Sequence, residues 1–340
     1  MQEASFYSRE GEKILCTLCP QECRLKEGQT GICGVRRVEG GRLITTNYGL
    51  CAALALDPIE KKPLYHFYPG WKILSLGTVG CNLNCSFCQN WSLARNETGR
   101  EAEYIAPEKI LAFLEGQPAR GQLGVAYTYN EPTVWYEFVR ETAEIIAVEG
   151  YQNVLVTNGL IKKEPLKELL PFIGALNVDV KAFREDFYRR HCRGRGFKEV
   201  LRTVEQALST CHVELTYLLI PGLNDSAEEI KEFVDWVVSL DRKVPVHFSR
   251  YFPQYRLSLP PTPLETLYRA WGTAHEKLSY VYLGNVQDDE RSATYCPSCR
   301  KLLISRAGYS LRNLGLEDKR CRYCGHTIRL TGHIYGEGGG

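Results

Sequence analysis

The chain has 340 residues, of which 44% are apolar and 24% charged, an ordinary composition for a globular protein that can bury a full core. Its 42 basic residues nearly balance its 40 acidic ones, so charge gives no argument for binding nucleic acid or a membrane surface. No stretch approaches the ~20 apolar residues of a membrane span, and the start does not resemble a signal peptide. We therefore expect a cytoplasmic protein with neither a membrane nor a nucleic acid as its partner.

Fourteen cysteines could form disulfides, but in a long chain without a secretory signal, metal-ligand spacings explain them better. Eleven of them fall into three groups along the chain. Cys51, Cys192 and Cys211 remain, and we expect them to be small buried apolar side chains.

The first group lies in residues 1–70, which we interpret as a Cys-rich N-terminal extension. It consists of Cys16, Cys19, Cys23 and Cys33. The opening C-x-x-C-P is similar to the start of a ferredoxin run, but the later spacings differ. These cysteines could bind either zinc or a second iron–sulfur cluster, and a structural site is the favoured interpretation.

The second group, Cys81, Cys85 and Cys88, follows an apolar stretch at residues 72–77. A cubane iron–sulfur cluster takes one thiolate per iron, so three close cysteines without a fourth leave one iron open to a non-protein ligand. The alternative is a structural zinc site, which prefers four ligands in two short-spaced pairs. The next cysteine is Cys192, so no local pair completes such a site.

This C-x-x-x-C-x-x-C motif, with the aromatic Phe87 before its last cysteine, resembles the cluster motif of the radical S-adenosylmethionine (SAM) superfamily. The resemblance implies that the three cysteines bind a [4Fe-4S] cluster whose open iron holds SAM. It also implies that an external electron donor reduces the cluster, which cleaves SAM to methionine and a 5′-deoxyadenosyl radical.

Residues 72–286 alternate short apolar runs with helix-period segments, which predicts a parallel sheet with right-handed crossovers. The apolar runs are residues 72–80, 123–130, 153–159, 175–181, 212–221, 244–251 and 280–286. The helical segments are residues 107–116, 132–148, 164–172, 197–209, 227–240 and 263–278. We expect an α/β fold, and the resemblance implies a partial (β/α)6 barrel over residues 71–290. Ligands should gather at the C-terminal ends of its strands.

Glu131 closes the second strand of the predicted barrel in the run Tyr129-Asn130-Glu131. It matches a Gly-Gly-Glu-like motif that binds the amino group of SAM in the superfamily, although Tyr129 and Asn130 replace the two glycines. The alternative is a carboxylate that is favoured at a helix N-terminus by the helix dipole.

Asn158 ends the third strand, and Asp179 and Lys181 end the fourth. They resemble the T-N-G and D-x-K elements of activating enzymes for glycyl-radical proteins, which contact the ribose and the carboxylate of SAM. An amide can both donate to and accept from ribose hydroxyls, and a lysine brings a cation to a carboxylate. Alternatively, Asp179 and Lys181 simply pair as buried charges.

The last two barrel strands carry further polar residues. The turn at residues 220–225 is similar to an I-P-G-x-N-D turn whose apolar part packs against adenine. His247, Ser249 and Arg250 are expected near the mouth of the barrel, where His247 is either a ligand or substrate contact or a core histidine with satisfied hydrogen bonds.

The third group forms two C-x-x-C knuckles in residues 291–340. Its members are Cys296, Cys299, Cys321 and Cys324. Four thiolates in paired knuckles are typical of a structural zinc ribbon, and so small a segment cannot fold without metal. A rubredoxin-like iron site is the alternative.

Several segments together resemble the radical SAM component of the AmmeMemoRadiSam system, which is related to pyruvate formate-lyase activating enzymes. These segments are residues 18–20 with 31–33, 57–70, 88–91, 129–133 and 220–225. The resemblance implies a SAM-cleaving enzyme that removes hydrogen from a substrate, for which a protein or peptide, including the system's other proteins, is the candidate. The alternatives are activation of a glycyl-radical enzyme and a non-catalytic iron–sulfur or zinc scaffold.

Overall fold

The computed structural model describes residues 2–95, 101–116 and 121–335. The N-terminal segment consists of short strands, which form two separate three-stranded antiparallel sheets, β1-β6-β5 and β2-β3-β4. The strands are β1 (Gln2–Glu3), β2 (Tyr7–Glu10), β3 (Lys13–Cys16), β4 (Arg24–Leu25), β5 (Arg36–Glu39), β6 (Arg42–Thr45) and β7 (Leu50–Cys51).

Strands and helices then alternate as the apolar periodicity predicts. In chain order they are β8 (Ala53–Pro58), β9 (Lys72–Gly77), α1 (Trp91–Arg95), β10 (Glu103–Tyr104), α2 (Pro107–Glu115), β11 (Gln122–Tyr127), α3 (Tyr136–Val148), β12 (Gln152–Thr157), α4 (Lys163–Leu169), β13 (Ala175–Asp179), α5 (Glu185–His191), α6 (Phe197–Leu208), β14 (His212–Leu219), α7 (Ala227–Leu240), β15 (Val246–Arg250), α8 (Leu264–His275), β16 (Val281–Gly284) and α9 (Asp289–Ser292). Short 3-10 helices occupy Ile59–Lys61, Pro132–Trp135 and Leu170–Phe172.

The central sheet has the order β16-β15-β14-β13-β12-β11-β9-β8. All neighbours from β9 to β16 pair in parallel, which confirms the predicted α/β architecture. These strands are buried on both faces, because helices cover a parallel sheet.

Strand β8 was not predicted from the sequence. It pairs antiparallel with β9 at the sheet edge, with Ala53 opposite Gly77. This strand lies inside residues 1–70, although it completes the core sheet. The predicted domain boundaries at residues 70 and 290 stay a prediction.

The C-terminal segment adds β17 (Thr294–Tyr295), β18 (Leu302–Ala307), β19 (Ser310–Asn313), β20 (Leu316–Glu317) and β21 (Arg320–Cys321). Its apolar side chains Leu303 and Ile304 share a cluster with Tyr280 and Tyr282 of the barrel. The small module is thereby packed against the β16 side of the sheet. Among the described residues, no helix is long and apolar enough to cross a membrane.

Candidate functional site

A cavity of about 570 Å³ opens where the parallel strands end. A volume of this size lies within the range of small-molecule and cofactor sites. Its lining includes all eight residues that the sequence assigned to the cluster and to SAM: Cys81, Cys85, Phe87, Cys88, Glu131, Asn158, Asp179 and Lys181. Strand ends that are far apart in sequence therefore meet around the three cysteines.

The loop that carries the three cysteines is held from several sides by backbone hydrogen bonds. The Cys81 N–H donates to the Cys33 carbonyl (3.2 Å), and the Asn84 N–H donates to the carbonyl of Cys192 (2.8 Å). Gly80 has a φ of 93°, and a Cβ there would lie 2.8 Å from the Cys33 carbonyl oxygen. Only glycine suits both the left-handed backbone and this close approach.

Cys192 is completely buried and its thiol hydrogen-bonds to that of Cys85, which lowers the pKa of Cys85. Cys192 is not among the residues that line the cavity. The thiols that face the cavity are therefore those of the three-cysteine motif, while Cys192 supports Cys85 from behind.

Glu131 lies at the centre of a hydrogen-bonded network and is almost fully buried. Its carboxylate accepts from the Thr133 N–H (2.9 Å), the Thr157 hydroxyl (2.8 Å) and the Asn158 N–H (2.8 Å). Burial raises the pKa of Glu131, and these hydrogen bonds partly offset the shift. The contact with Thr133 is that of a carboxylate at a helix N-terminus, which was the alternative interpretation of Glu131. The contact with Asn158 adds a second role, because it fixes the end of β12.

The side chain of Asn158 extends this network to the cysteine loop. Its Nδ2 donates to Oδ1 of Asn82 (2.8 Å) and lies 3.9 Å from Sγ of Cys81. Asn82 in turn donates to the Leu160 carbonyl (2.8 Å). The third strand end and the cluster loop are thus positioned relative to each other.

Asp179 and Lys181 form an ion pair at the wall of the same cavity. Burial lowers the pKa of Lys181, but the charge of Asp179 outweighs it and raises that pKa above its usual range. Asn224, from the predicted I-P-G-x-N-D turn, donates to the Lys181 carbonyl (2.8 Å). Oδ1 of Asp179 has no hydrogen-bond partner among the described residues, so one carboxylate oxygen can accept from a ligand.

Tyr129 and Asn130, which replace the two glycines, have structural roles of their own. Asn130 accepts from the Thr78 N–H (3.1 Å) and donates to the Gly80 carbonyl (2.8 Å), so it braces the start of the cysteine loop. Tyr129 has a φ of 71°, and its hydroxyl donates to Asp57 (2.6 Å).

Sequence reasoning missed a charged cluster beside Tyr129, of which Lys61 and Lys62 line the cavity. Asp57 accepts from Lys61 (2.8 Å) and Lys62 (2.7 Å), and the Lys62 ammonium lies 4.7 Å from the centre of the Tyr129 ring. Burial opposes ionisation of Asp57, but its hydrogen bonds outweigh burial and hold its pKa below the usual range. The two consecutive lysines after Asp57 were the sequence feature that could have indicated this cluster. They reach the cavity because β8 joins the sheet, which the sequence does not predict.

Three further residues of the cavity lining come from late in the chain. Ser249, Asn285 and Tyr309 line the cavity, and Tyr309 belongs to the turn between β18 and β19. The C-terminal module therefore reaches the mouth of the site.

His247 lies away from the mouth, contrary to the first of the two expectations for it. It is the second residue of β15, is buried, and hydrogen-bonds to Glu214 (2.6 Å). Glu214 also bonds to His212 (3.0 Å) and to the His66 N–H (2.6 Å). His247 is thus a core histidine in a buried polar cluster. Arg250 donates to the Thr262 carbonyl (2.9 Å) and does not line the cavity.

The C-terminal knuckles converge as the zinc-ribbon interpretation requires. Their four sulfurs, from Cys296, Cys299, Cys321 and Cys324, all lie within 4.8 Å of one another. Two sulfurs bound to one zinc at about 2.3 Å each cannot be more than about 4.6 Å apart. This set therefore fits a single tetrahedral ion after small adjustments.

The N-terminal cysteines converge differently. Cys16, Cys19, Cys23 and Cys33 line one small cavity. Within the described ranges, they do not form a set as compact as the C-terminal knuckles.

Comparison with known proteins gives a consistent picture. The family model of the radical SAM superfamily matches residues 75–237. The chain is 42% identical to the uncharacterized protein MJ0808 of Methanocaldococcus jannaschii, over 97% of this chain and all of that protein. It is 30% identical to a GTP 3′,8-cyclase of Lactiplantibacillus plantarum, over 76% of this chain and 80% of the cyclase. It is also 26% identical to a pyruvate formate-lyase-activating enzyme of Clostridium pasteurianum, over 47% of this chain and 67% of that enzyme.

Proposed function

The chain belongs to the radical SAM superfamily of enzymes, and on that premise we propose that its cavity holds a [4Fe-4S] cluster and SAM side by side. The observation that carries this proposal is the shared lining. Three cysteines and four polar side chains from three strand ends face one cavity of about 570 Å³. When bound, the cluster and SAM supply a 5′-deoxyadenosyl radical that removes a hydrogen atom from the substrate.

In this proposal, Cys81, Cys85 and Cys88 bind three irons, and the remaining iron is left for SAM. Phe87 is 3% exposed and packs against Phe187, with ring centres 5.7 Å apart. It covers the cluster loop with an apolar surface that limits access of water.

The polar side chains then orient SAM. Lys181 provides a cation for the SAM carboxylate, and the free Oδ1 of Asp179 accepts a hydrogen bond from the ligand. Glu131 holds Asn158 through its backbone N–H, and its carboxylate is the candidate partner of the SAM amino group. Asn158 offers an amide to the ribose.

We propose a protein or peptide as the substrate, within a system of the AmmeMemoRadiSam type. The cavity lining supports a polar substrate, because Lys61, Lys62 and Asn285 contribute to it beside the residues proposed for SAM. Activation of a glycyl-radical enzyme is the second candidate, and the similarity to a pyruvate formate-lyase-activating enzyme over 47% of this chain favours it.

Two further assignments belong to the same proposal. We assign zinc to the C-terminal knuckles on the compactness of their four sulfurs, and iron bound by four thiolates remains the alternative. We also assign the protein to the cytoplasm, because none of the fourteen cysteines forms a disulfide, as is usual in a reducing compartment.

The test is cleavage of SAM. Protein reconstituted anaerobically with iron and sulfide, then given SAM and a strong reductant, should release 5′-deoxyadenosine. Cys211→Ala is the matched control and should behave as wild type, because Cys211 lies outside all three cysteine groups. Intact cluster without any 5′-deoxyadenosine would favour the scaffold alternative. Deuterium transfer from labelled candidate partners into 5′-deoxyadenosine would identify the substrate.

A further inference from the structure

The four N-terminal cysteines surround a common void inside the protein. Cys16, Cys19, Cys23 and Cys33 line a small cavity of about 20 Å³, and the Cys19 thiol interacts electrostatically with the other three. Protein interiors keep few voids larger than a water molecule, for which about 10–15 Å³ suffices. A void of this kind ringed by four thiols indicates a built inorganic site.

Two buried polar side chains also line this void. Gln21 is 7% exposed, and its Nε2 finds no hydrogen-bond partner in the part of the chain that the structure describes. Arg36 is 2% exposed; its guanidinium forms an ion pair with the buried Glu137 and also donates to the Cys16 sulfur at 3.8 Å. An unpaired amide donor and a guanidinium that already donates to one of the sulfurs are suited to a sulfur-rich group.

The spacing of the sulfurs distinguishes the two kinds of metal site. Ligands of a single zinc must be as close as those of the C-terminal knuckles, whereas each thiolate of a cubane cluster binds a different iron at its own corner. Among the described residues, neither the N-terminal sulfurs nor those of Cys81, Cys85 and Cys88 form a set that compact. The N-terminal group therefore resembles the cluster loop in spacing.

We propose that Cys16, Cys19, Cys23 and Cys33 bind a second [4Fe-4S] cluster. Four thiolates saturate its four irons, so no iron remains open for SAM or substrate. Such a cluster is suited to electron transfer.

The position of this second site indicates where its electron goes. Cys33 accepts a hydrogen bond from Cys81 through the backbone, at 3.2 Å, and Asn82 of the cluster loop lines the N-terminal cavity. A single hydrogen bond thus joins a ligand of one cluster to a ligand of the other. An external low-potential protein donor gives one electron to the second cluster, which then passes one electron to the catalytic cluster and is itself reoxidised. This relay rests on the proposed function, whereas occupancy of the second site does not.

Occupancy is tested by metal analysis of protein purified without oxygen. Wild type should contain about eight irons per chain, and the triple variant Cys81→Ala, Cys85→Ala, Cys88→Ala should retain about four, with the Mössbauer and EPR spectra of a cubane cluster. Cys19→Ala, which leaves the catalytic cysteines intact, should also retain about four, and Cys211→Ala should retain all. Zinc in place of iron at the N-terminal site of the triple variant would overturn the proposal. The proposal would also be overturned if the triple variant lost all of its iron while Cys19→Ala kept as much iron per chain as wild type.

The relay is tested by the rate at which a reduced ferredoxin reduces the catalytic cluster, followed by stopped-flow absorbance. Cys19→Ala should lose the fast phase of this reduction, and Cys211→Ala should keep it. An unchanged fast phase in Cys19→Ala would refute the relay. Because the metal analysis needs no SAM cleavage, failure of the catalytic proposal is recognised separately.

Discussion

Replacing Glu131 by glutamine tests the network at the centre of the site. The carboxylate accepts from Thr133, Thr157 and Asn158. Glutamine keeps one oxygen and presents an amide NH2 in place of the other, so one of the two backbone N–H groups faces a donor. An unsatisfied buried donor costs about 1–3 kcal/mol, and the remaining hydrogen bonds lose their charge assistance.

We expect Glu131→Gln to lower the free energy of unfolding by about 2–4 kcal/mol. Because Asn158 loses its fixed position, SAM should bind at least about tenfold more weakly, which corresponds to about 1.4 kcal/mol. The assays are denaturant unfolding and equilibrium dialysis of SAM against anaerobically reconstituted protein of equal iron content.

Glu229→Gln is the matched control. Glu229 is a buried carboxylate that accepts from the Phe183 N–H (2.6 Å) and the Tyr217 hydroxyl (2.9 Å), and it does not line the cavity. Both donors bind Oε1 of Glu229, so Glu229→Gln can keep both hydrogen bonds and should lose only their charge assistance. It should therefore lose less stability than Glu131→Gln and bind SAM as wild type does. If Glu131→Gln binds SAM with wild-type affinity, Glu131 is only a helix-terminal carboxylate and the reasoning is wrong.

Three other perturbations separate the metal sites from the core. Cys85→Ala should lose the visible absorbance of the catalytic cluster and keep its far-UV circular dichroism, at a cost of about 1 kcal/mol; global unfolding would instead indicate a structural metal. Chelation of the C-terminal ion should raise hydrogen exchange mainly after Ala293, since so small a module depends on its metal; uniform protection would contradict this. Burial lowers the pKa of His66 to about 3, whereas in the unfolded chain it is about 6.5. Between these two pH values the unfolded chain binds more protons than the folded protein. Acidification from pH 7.5 to pH 5.5 should therefore lower the free energy of unfolding by about 1.4 kcal/mol. Unfolding midpoints should show a smaller pH effect in His66→Gln and an unchanged one in the exposed His333→Gln; equal effects in all three proteins would exclude His66 as the cause.

The sequence was sufficient for the features that depend on local pattern. Apolar runs and helical periodicity predicted the seven parallel strands, because each parallel strand is apolar on both faces and each helix on one. The spacing of the three cysteines, and the polar residues that end β11 to β13, predicted what lines the cavity, because parallel strands all end at the same edge of a sheet. Ser226, directly before α7, is a residue type that favours helix N-caps, and its hydroxyl accepts from the Glu229 N–H (3.2 Å).

Pairings between distant segments could not be predicted in this way. Asp57 is more than seventy residues from Tyr129 in sequence, and its hydrogen bond to the tyrosine hydroxyl depends on β8 joining the edge of the sheet. His247 is similar: it was expected near the mouth with the other polar residues of the apolar run 244–251, but β15 begins at Val246, so the side chain lies near the start of the strand. There it meets Glu214, which is also near the start of its own strand.

Asn130 and Gly80 show why a change in a motif does not by itself weaken the assignment of its neighbours. Two glycines before the acidic residue would leave the cluster loop without the hydrogen bonds that Asn130 makes to Thr78 and Gly80. This chain obtains rigidity at that point from an amide side chain, and it retains glycine at residue 80, where the approach of Cys33 excludes a Cβ. The close approach at Gly80 exists because the N-terminal cysteine site is packed against the loop, and the left-handed φ of 93° is a second, independent restriction. The geometry of the catalytic loop and that of the second cysteine site are therefore parts of one arrangement, and a larger residue at Gly80 should disturb both.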